Sequence, residues 1–121
     1  MAGDEGSGLE LRGEALGVYM GRIAQLEKLL AMDPKDTFVL YGLAQEYAKA
    51  GHHAEAVAWY DRCLAVDGGY CYAYFHKARS QEAMNEKTAA IATLRAGAAA
   101  SKQAGDGKAL SEISAYLDEL E

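Results

Sequence analysis

Proline is nearly absent, with one in 121 residues; without it, and with few β-branched runs and many alanines, little opposes continuous helix. Cysteine is scarce as well. Cys63 and Cys71 are too few for a disulfide framework and lack metal-type spacing, so two reduced thiols packed as small apolar side chains are expected. Basic residues are outnumbered, 12 Lys and Arg against 18 Asp and Glu for a net charge of −6, and they are dispersed along the chain. Nucleic acid is therefore not an expected partner, because phosphate binding needs a concentrated basic face. No apolar stretch reaches the ~18–20 residues of a membrane span. The polar, glycine-rich start also lacks the apolar segment of a signal peptide, so the protein is expected in the cytoplasm with no membrane partner.

What the chain does have is an apolar half, enough for one continuous core, and a pattern that returns on itself. At a shift of 34 residues Ile23 falls on Val57 and Ile91, Leu30 on Leu64, Asp33 on Asp67, Leu40 on Tyr74, and Ala44 on Ala78. Gly51 falls on Asn85, Ala56 on Ala90 and Tyr60 on Leu94. A fixed period of this length with helical spacing inside each unit signals a stack of helical hairpins.

Residues 1–16 contain Gly3, Gly6, Gly8 and Gly13 and show no sustained period, so they read as a mostly disordered segment, in part a leader or an expression remnant. Gly13, Gly17 and Gly21 repeat every fourth residue, a spacing that supports close packing in membrane helices but weakens a soluble one. From about Val18 to Met32, Tyr19, Ile23, Leu26, Leu29 and Leu30 form one helical stripe. Asp33-Pro34 stops it.

A second helix carries Phe38, Val39, Leu40, Leu43, Ala44 and Tyr47 and ends at Gly51. A third, about His53 to Val66, turns Ala56, Val57, Tyr60, Cys63 and Leu64 inward and breaks at Gly68-Gly69. The fourth runs from about Tyr70 to Met84 and ends at Asn85; the fifth spans about Thr88 to Gln103 and closes at Gly105. Glycine and asparagine tolerate the left-handed conformation that ends helices. Leu110, Ile113, Leu117 and Leu120 then mark an amphipathic helix over 106–120, opposite Glu112, Asp118, Glu119 and Glu121. It reads as a solvating cap on the end of the stack.

These residues resemble the tetratricopeptide repeat, in members of the short bacterial type. Residues 37–70 carry Leu40, Leu43, Ala44, Tyr47, Gly51, Ala56, Tyr60 and Cys63 where the motif places them, and Pro34 fits the preceding connection. Residues 71–104 form a more degenerate unit, with Tyr74, Ala78, Ala90 and Leu94 in place but Lys77 for leucine, Gln81 for tyrosine, Gly68 for proline and Gly97 also departing. Residues 18–34 look like the second helix of an incomplete repeat. The resemblance implies an all-α, right-handed superhelical stack of antiparallel hairpins with about six helices, a single domain over 17–121, and a binding rather than catalytic role.

The resemblance also implies that the first helix of each hairpin lies on the concave side. That places Phe38, Tyr41, Gln45 and Lys49 beside Tyr72, Phe75, His76 and Arg79, a composition rich in the aromatic and arginine side chains that dominate protein contacts. Two readings stay open at this point: these rings meet a partner, or they pack against the first or last helix of the chain. The clamp by which some family members grip a C-terminal carboxylate with lysine and asparagine is absent or incomplete, Tyr41, Gln45 and His76 occupying its places. A chaperone tail of the EEVD type is not expected.

His52, His53 and His76, even with Cys63 or Cys71, show no HExxH or CxxC pattern. Adjacent histidines project about 100° apart on a helix and do not chelate one ion together, so they read as a turn pair and no metal or cofactor is expected. Ser80, Ser101, Ser111 and Ser114 lack any nucleophile or phosphate-loop context. The functional expectation is a non-catalytic scaffold or adaptor that binds another protein or peptide on its concave face. The alternative is a self-associating accessory subunit, a homodimer included, because a short stack leaves much of its surface near an end.

Overall fold

The computed structural model describes the backbone from residue 13 onward and the side chains from Met20 onward. The expected disorder of residues 1–12, and the place of Tyr19 in the first stripe, lie outside the described residues. Six helices make up the described chain: α1 (Gly13–Met32), α2 (Thr37–Lys49), α3 (His53–Val66), α4 (Cys71–Ala83), α5 (Lys87–Ala104) and α6 (Gly107–Leu120). No strand occurs among the described residues.

Each helix packs on the next in order; in addition α2 touches α4 and α4 touches α6, whereas α1, α3 and α5 do not meet one another. The even-numbered helices therefore lie on the closed side of the stack and the odd-numbered ones outside. The architecture is an all-α stack of hairpins, as the period requires.

The connections repeat because their chemistry repeats. After α1 and after α3, Asp33 and Asp67 accept from backbone N–H groups two residues on, Lys35 at 3.2 Å and Gly69 at 2.9 Å, so Gly68 occupies the same turn as Pro34 without proline. Gly51 and Asn85 inside the hairpins, and Gly105 in the connection from α5 to α6, all take the left-handed conformation, with φ of 83°, 62° and 72°. In each case the next residue's N–H reaches back to a carbonyl in the last turn, His52 to Tyr47, Glu86 to Gln81 and Asp106 to Ser101. This satisfies the orphan carbonyls of three helix ends in the same way.

Two clusters make the core. Ile23, Leu30, Val39, Leu40, Leu43, Ala44, Ala56, Tyr60, Cys63 and Ala73 hold α1 to α4; Ala78, Ala90, Leu94, Ile113 and Leu120 hold α4 to α6. Ala44, Ala56, Ala78 and Ala90 are fully buried, since only a methyl group fits where helices approach this closely. Both cysteines are buried and unpaired.

The degenerate second unit keeps its packing by polar exchange. Lys77, standing for leucine, reaches Asp61 at 2.6 Å, and buried Gln81, standing for tyrosine, accepts from Thr93 at 2.7 Å. Gly97 lets Tyr74 lie against the α5 backbone: a β-carbon there would stand 2.6 Å from Cβ of Tyr74.

Two expectations change, the start of α1 and the place of Leu29. Helix α1 includes Gly13 to Gly17, because a glycine costs a helix about 1 kcal/mol without stopping it. An added β-carbon at Gly17 or Gly21 would meet nothing within 4 Å, so their spacing serves no close helix contact. Leu29 is 51% exposed rather than in the apolar stripe. Its equivalents 34 and 68 residues on, Cys63 and Gly97, are buried under α2 and α4; no inner helix precedes α1 among the described residues, so Leu29 has no cover.

Candidate functional site on the inner helices

The inner face is built by α2, α4 and α6, and its most continuous feature is a row of rings. Tyr70 lies 4.9 Å from Tyr41, Tyr41 is 6.0 Å from His76, His76 is 5.2 Å from Phe75, and Phe75 is 5.3 Å from Tyr116, all between centroids. Tyr72 joins edge-on at 6.5 Å from Phe75. Such tilted and edge-to-face pairs hold each ring in a defined orientation. Tyr41, Phe75 and His76 are half-buried, so each gives part of its surface to the core and part to the face.

Three hollows open along this face. Between α1 and α2 a cavity of about 410 Å³ is lined by Leu26, Leu29, Phe38, Tyr41, Gln45 and Lys49, among others. Between α2 and α4 a smaller one of about 220 Å³ is edged by Gln45, Lys49, His76 and Arg79 and floored by Tyr60. Between α4 and α6 the third, about 480 Å³, is lined by Phe75, Arg79, Glu82, Glu112, Tyr116 and Glu119.

The eight residues singled out from the sequence thus do not gather in one pocket. Phe38, 74% exposed, stands at the α1 end. Tyr41, Gln45, Lys49, His76 and Arg79 meet across α2 and α4, and Phe75 turns toward α6.

Electrostatics divide the face. Buried Glu46 on α2 is approached by Arg22 at 3.5 Å and Lys49 at 3.4 Å, so the α1–α2 end has no free negative charge from it. Burial, and then the Arg79 guanidinium, lower the pKa of His76, which makes it a neutral imidazole at pH 7. Burial pushes Tyr41 up to about 12, with Tyr70 adding to it.

At the other end Tyr116 donates to Glu82, and burial together with that carboxylate raises its pKa. Tyr72 is likewise raised, first by the neighbouring Glu112 carboxylate. The buried Tyr60 hydroxyl donates to Gln45. Every ring of the row is uncharged at neutral pH.

The turn histidines have partners of their own, His53 Nδ1 at 3.0 Å from the Ser80 hydroxyl and His52 at 3.9 Å from Glu55. Among the described residues no group of three His, Cys, Asp or Glu is placed to hold a metal. Nor is any described helix long and apolar enough to cross a membrane.

Sequence reasoning missed the contribution of α6. Read only as a solvating cap, it also lies beside α4 on the inner side and supplies Glu112, Tyr116 and Glu119. One signal was available: the 34-residue shift carries the start of α2 and α4 to within two residues of Gly107. The motif residues themselves have decayed there, Leu43 and Lys77 falling on Ser111 and Tyr47 and Gln81 on Ala115.

The tetratricopeptide repeat family model matches residues 39–70. A tetratricopeptide repeat domain protein from Salinibacter ruber is 30% identical and superposes with a TM-score of 0.69 over 74% of this chain and 90% of that one. PcrH, solved in complex with the chaperone binding region of PopD, is 16% identical with a TM-score of 0.79 over 88% of this chain and 81% of its own. The TPR2B domain of yeast Sti1, solved as a complex with pHsp70, is 22% identical with a TM-score of 0.79 over 88% of this chain and 85% of its own. Among curated proteins there is no match to the sequence.

Proposed function

The chain belongs to the tetratricopeptide repeat family, and we propose that it is a non-catalytic scaffold that binds a segment of another protein along α2, α4 and α6. The observation that carries this reading is the ring row Tyr41–His76–Phe75–Tyr116, half-buried and flanked by hollows. Rings held by their neighbours lose little freedom on binding, and aromatic and arginine side chains supply most hot spots. Like folds support it: PcrH was solved with the chaperone binding region of PopD and the TPR2B domain as a complex with pHsp70. The unpaired thiols Cys63 and Cys71 suit a reducing compartment, which supports a cytoplasmic location.

The test is capture of a partner by the wild-type protein, followed by direct binding of that isolated partner to variants. Phe75→Ala and Arg79→Ala should each weaken it by more than about 1 kcal/mol, the threshold of a significant interface residue. Phe75 also packs on Tyr116, so thermal melting accompanies it; Arg79 is exposed and reports on binding alone. Undiminished affinity in both variants rejects the groove.

A second reading has its own observation. Leu29, Met32 and Phe38 are 51%, 83% and 74% exposed at the α1–α2 end, and for Leu29 the later repeats bury the equivalent positions, Cys63 and Gly97. A second copy of the chain that covers this end would make the protein a self-associating subunit.

A further inference from the structure

We propose that the cavity between α4 and α6 selects a partner segment in which an apolar side chain is flanked by lysine or arginine. This rests on the reading of the inner face as the binding face and deepens it by assigning the charge of the partner. The floor is apolar: Phe75 and Tyr116 meet at 5.3 Å with their rings tilted 52°, and Ala115 lies beside them. At about 480 Å³ the cavity falls within the ~300–1,000 Å³ of ordinary ligand sites, so a leucine- to tryptophan-sized side chain has room.

The rim is acidic. Glu82, Glu112 and Glu119 surround the floor with Arg79 as the one cation among its lining residues; three negative charges against one positive leave the site at −2. None of the three carboxylates has a cationic partner within 4 Å among the described residues.

Glu82 does accept from the Tyr116 hydroxyl. That donor is neutral, so it aims the carboxylate without cancelling its charge, and all three carboxylates keep acceptor sites for an ammonium or guanidinium. The apolar floor strengthens that attraction by lowering the local dielectric. It also offers Tyr116 and Phe75 to a cation whose aliphatic stem lies along the rings.

The acidic potential is confined to this end. On α2 the Glu46 carboxylate is already approached by Arg22 and Lys49, and Lys49 and Arg79 edge the middle hollow. The face thus runs from basic at α2 to acidic at α6, which orients a bound segment with its basic residues toward α6. A net charge of −6 for the whole chain steers such a segment from a distance.

The experiment uses the full chain and two synthetic labelled peptides with the same leucine and tryptophan residues, one flanked by lysine and arginine and the other by glutamate, measured by fluorescence anisotropy. The basic peptide should bind at least about tenfold more tightly. The double substitution Glu112→Gln/Glu119→Gln should weaken it about tenfold and flatten its salt dependence, the sign of a charge contact removed. Glu27→Gln/Glu55→Gln removes the same charge from the outer helices and should leave affinity within about twofold, because screened distant charges contribute little.

An outer pair as damaging as the inner pair would overturn the proposal, reducing it to bulk attraction. Preference for the glutamate peptide would overturn it too; if Phe75→Ala then weakened that peptide, the inner face would stand with its charge preference reversed. Failure of both peptides, together with partner capture indifferent to Phe75, removes the inner-face reading itself.

Discussion

A methyl group at position 97 would place its carbon 2.6 Å from Cβ of Tyr74, 3.0 Å from its Cγ and 3.3 Å from Cδ1 of Ile113. Cβ of Tyr74 cannot rotate away, so α4 and α5 would have to separate. Overpacking of this kind costs about 1–3 kcal/mol, against a helix-propensity gain of about 1 kcal/mol for replacing glycine by alanine; the loss wins. Gly97→Ala should therefore lower the melting temperature. At Gly42, also inside a helix, an added β-carbon meets only Leu26 at 3.5 and 3.6 Å, an ordinary contact. Gly42→Ala should be neutral or stabilising in the same thermal melt, and the opposite order of the two variants would contradict the packing of Tyr74 on α5. The departure from motif at Gly97 is thus a steric requirement of this particular hairpin, set by how closely α5 approaches the α4 chain at Tyr74.

Among the elements, α2 and α4 are repeats of each other that begin differently. Asp36 caps α2, its carboxylate accepting from the backbone N–H groups of Phe38 at 3.0 Å and Val39 at 3.3 Å. Its equivalent before α4 is Tyr70, which makes no side-chain cap and stacks on Tyr41 instead. One start is held by a hydrogen bond and the other by ring packing. Asp36→Ala should cost about 1 kcal/mol, the usual loss for an N-cap carboxylate, read as a fall in the denaturation midpoint with an unchanged slope. No loss would mean that Pro34 and the Asp33 turn already hold the entry to α2. The cap could be read from the residue type, since aspartate one residue before a helix is a known start signal; that Tyr70 exchanges capping for a contact with Tyr41 could not, because the two residues are brought together only by the stack.

For the molecule as a whole the two ends differ. The α6 end is closed by Ile113 and Leu120, both buried, and by Arg95 paired with Glu121 across α5 and α6. The α1 end leaves Leu29, Met32 and Phe38 open. If a second copy covers it, light scattering should give a dimer at micromolar concentration, and Met32→Asp/Phe38→Asp should return it to the monomer, since a buried unpaired carboxylate is costly. Both residues are exposed in the single chain, so their replacement leaves the fold intact. A wild-type monomer removes the self-association reading and leaves the groove untouched.

The sequence by itself determined the helices, the turns and the small-residue contacts. Gly51, Asn85 and Gly105 end helices through backbone freedom, Asp33 and Asp67 make turns through bonds spanning two residues, and Ala44, Ala56, Ala78 and Ala90 are buried at the helix contacts. All of these act over a few residues or recur at the 34-residue period, so periodicity and residue type suffice to read them. Only the tertiary structure decided which helix covers which face. Leu29 and Leu30 look alike in a stripe, yet Leu29 is open because its cover would come from another helix, and no local pattern specifies that. The same reason hid the site's acidic end: Glu82 and Glu119 are far apart in sequence and look like solvated charges on two helices, and they share one rim because α6 lies beside α4 on the inner side of the stack.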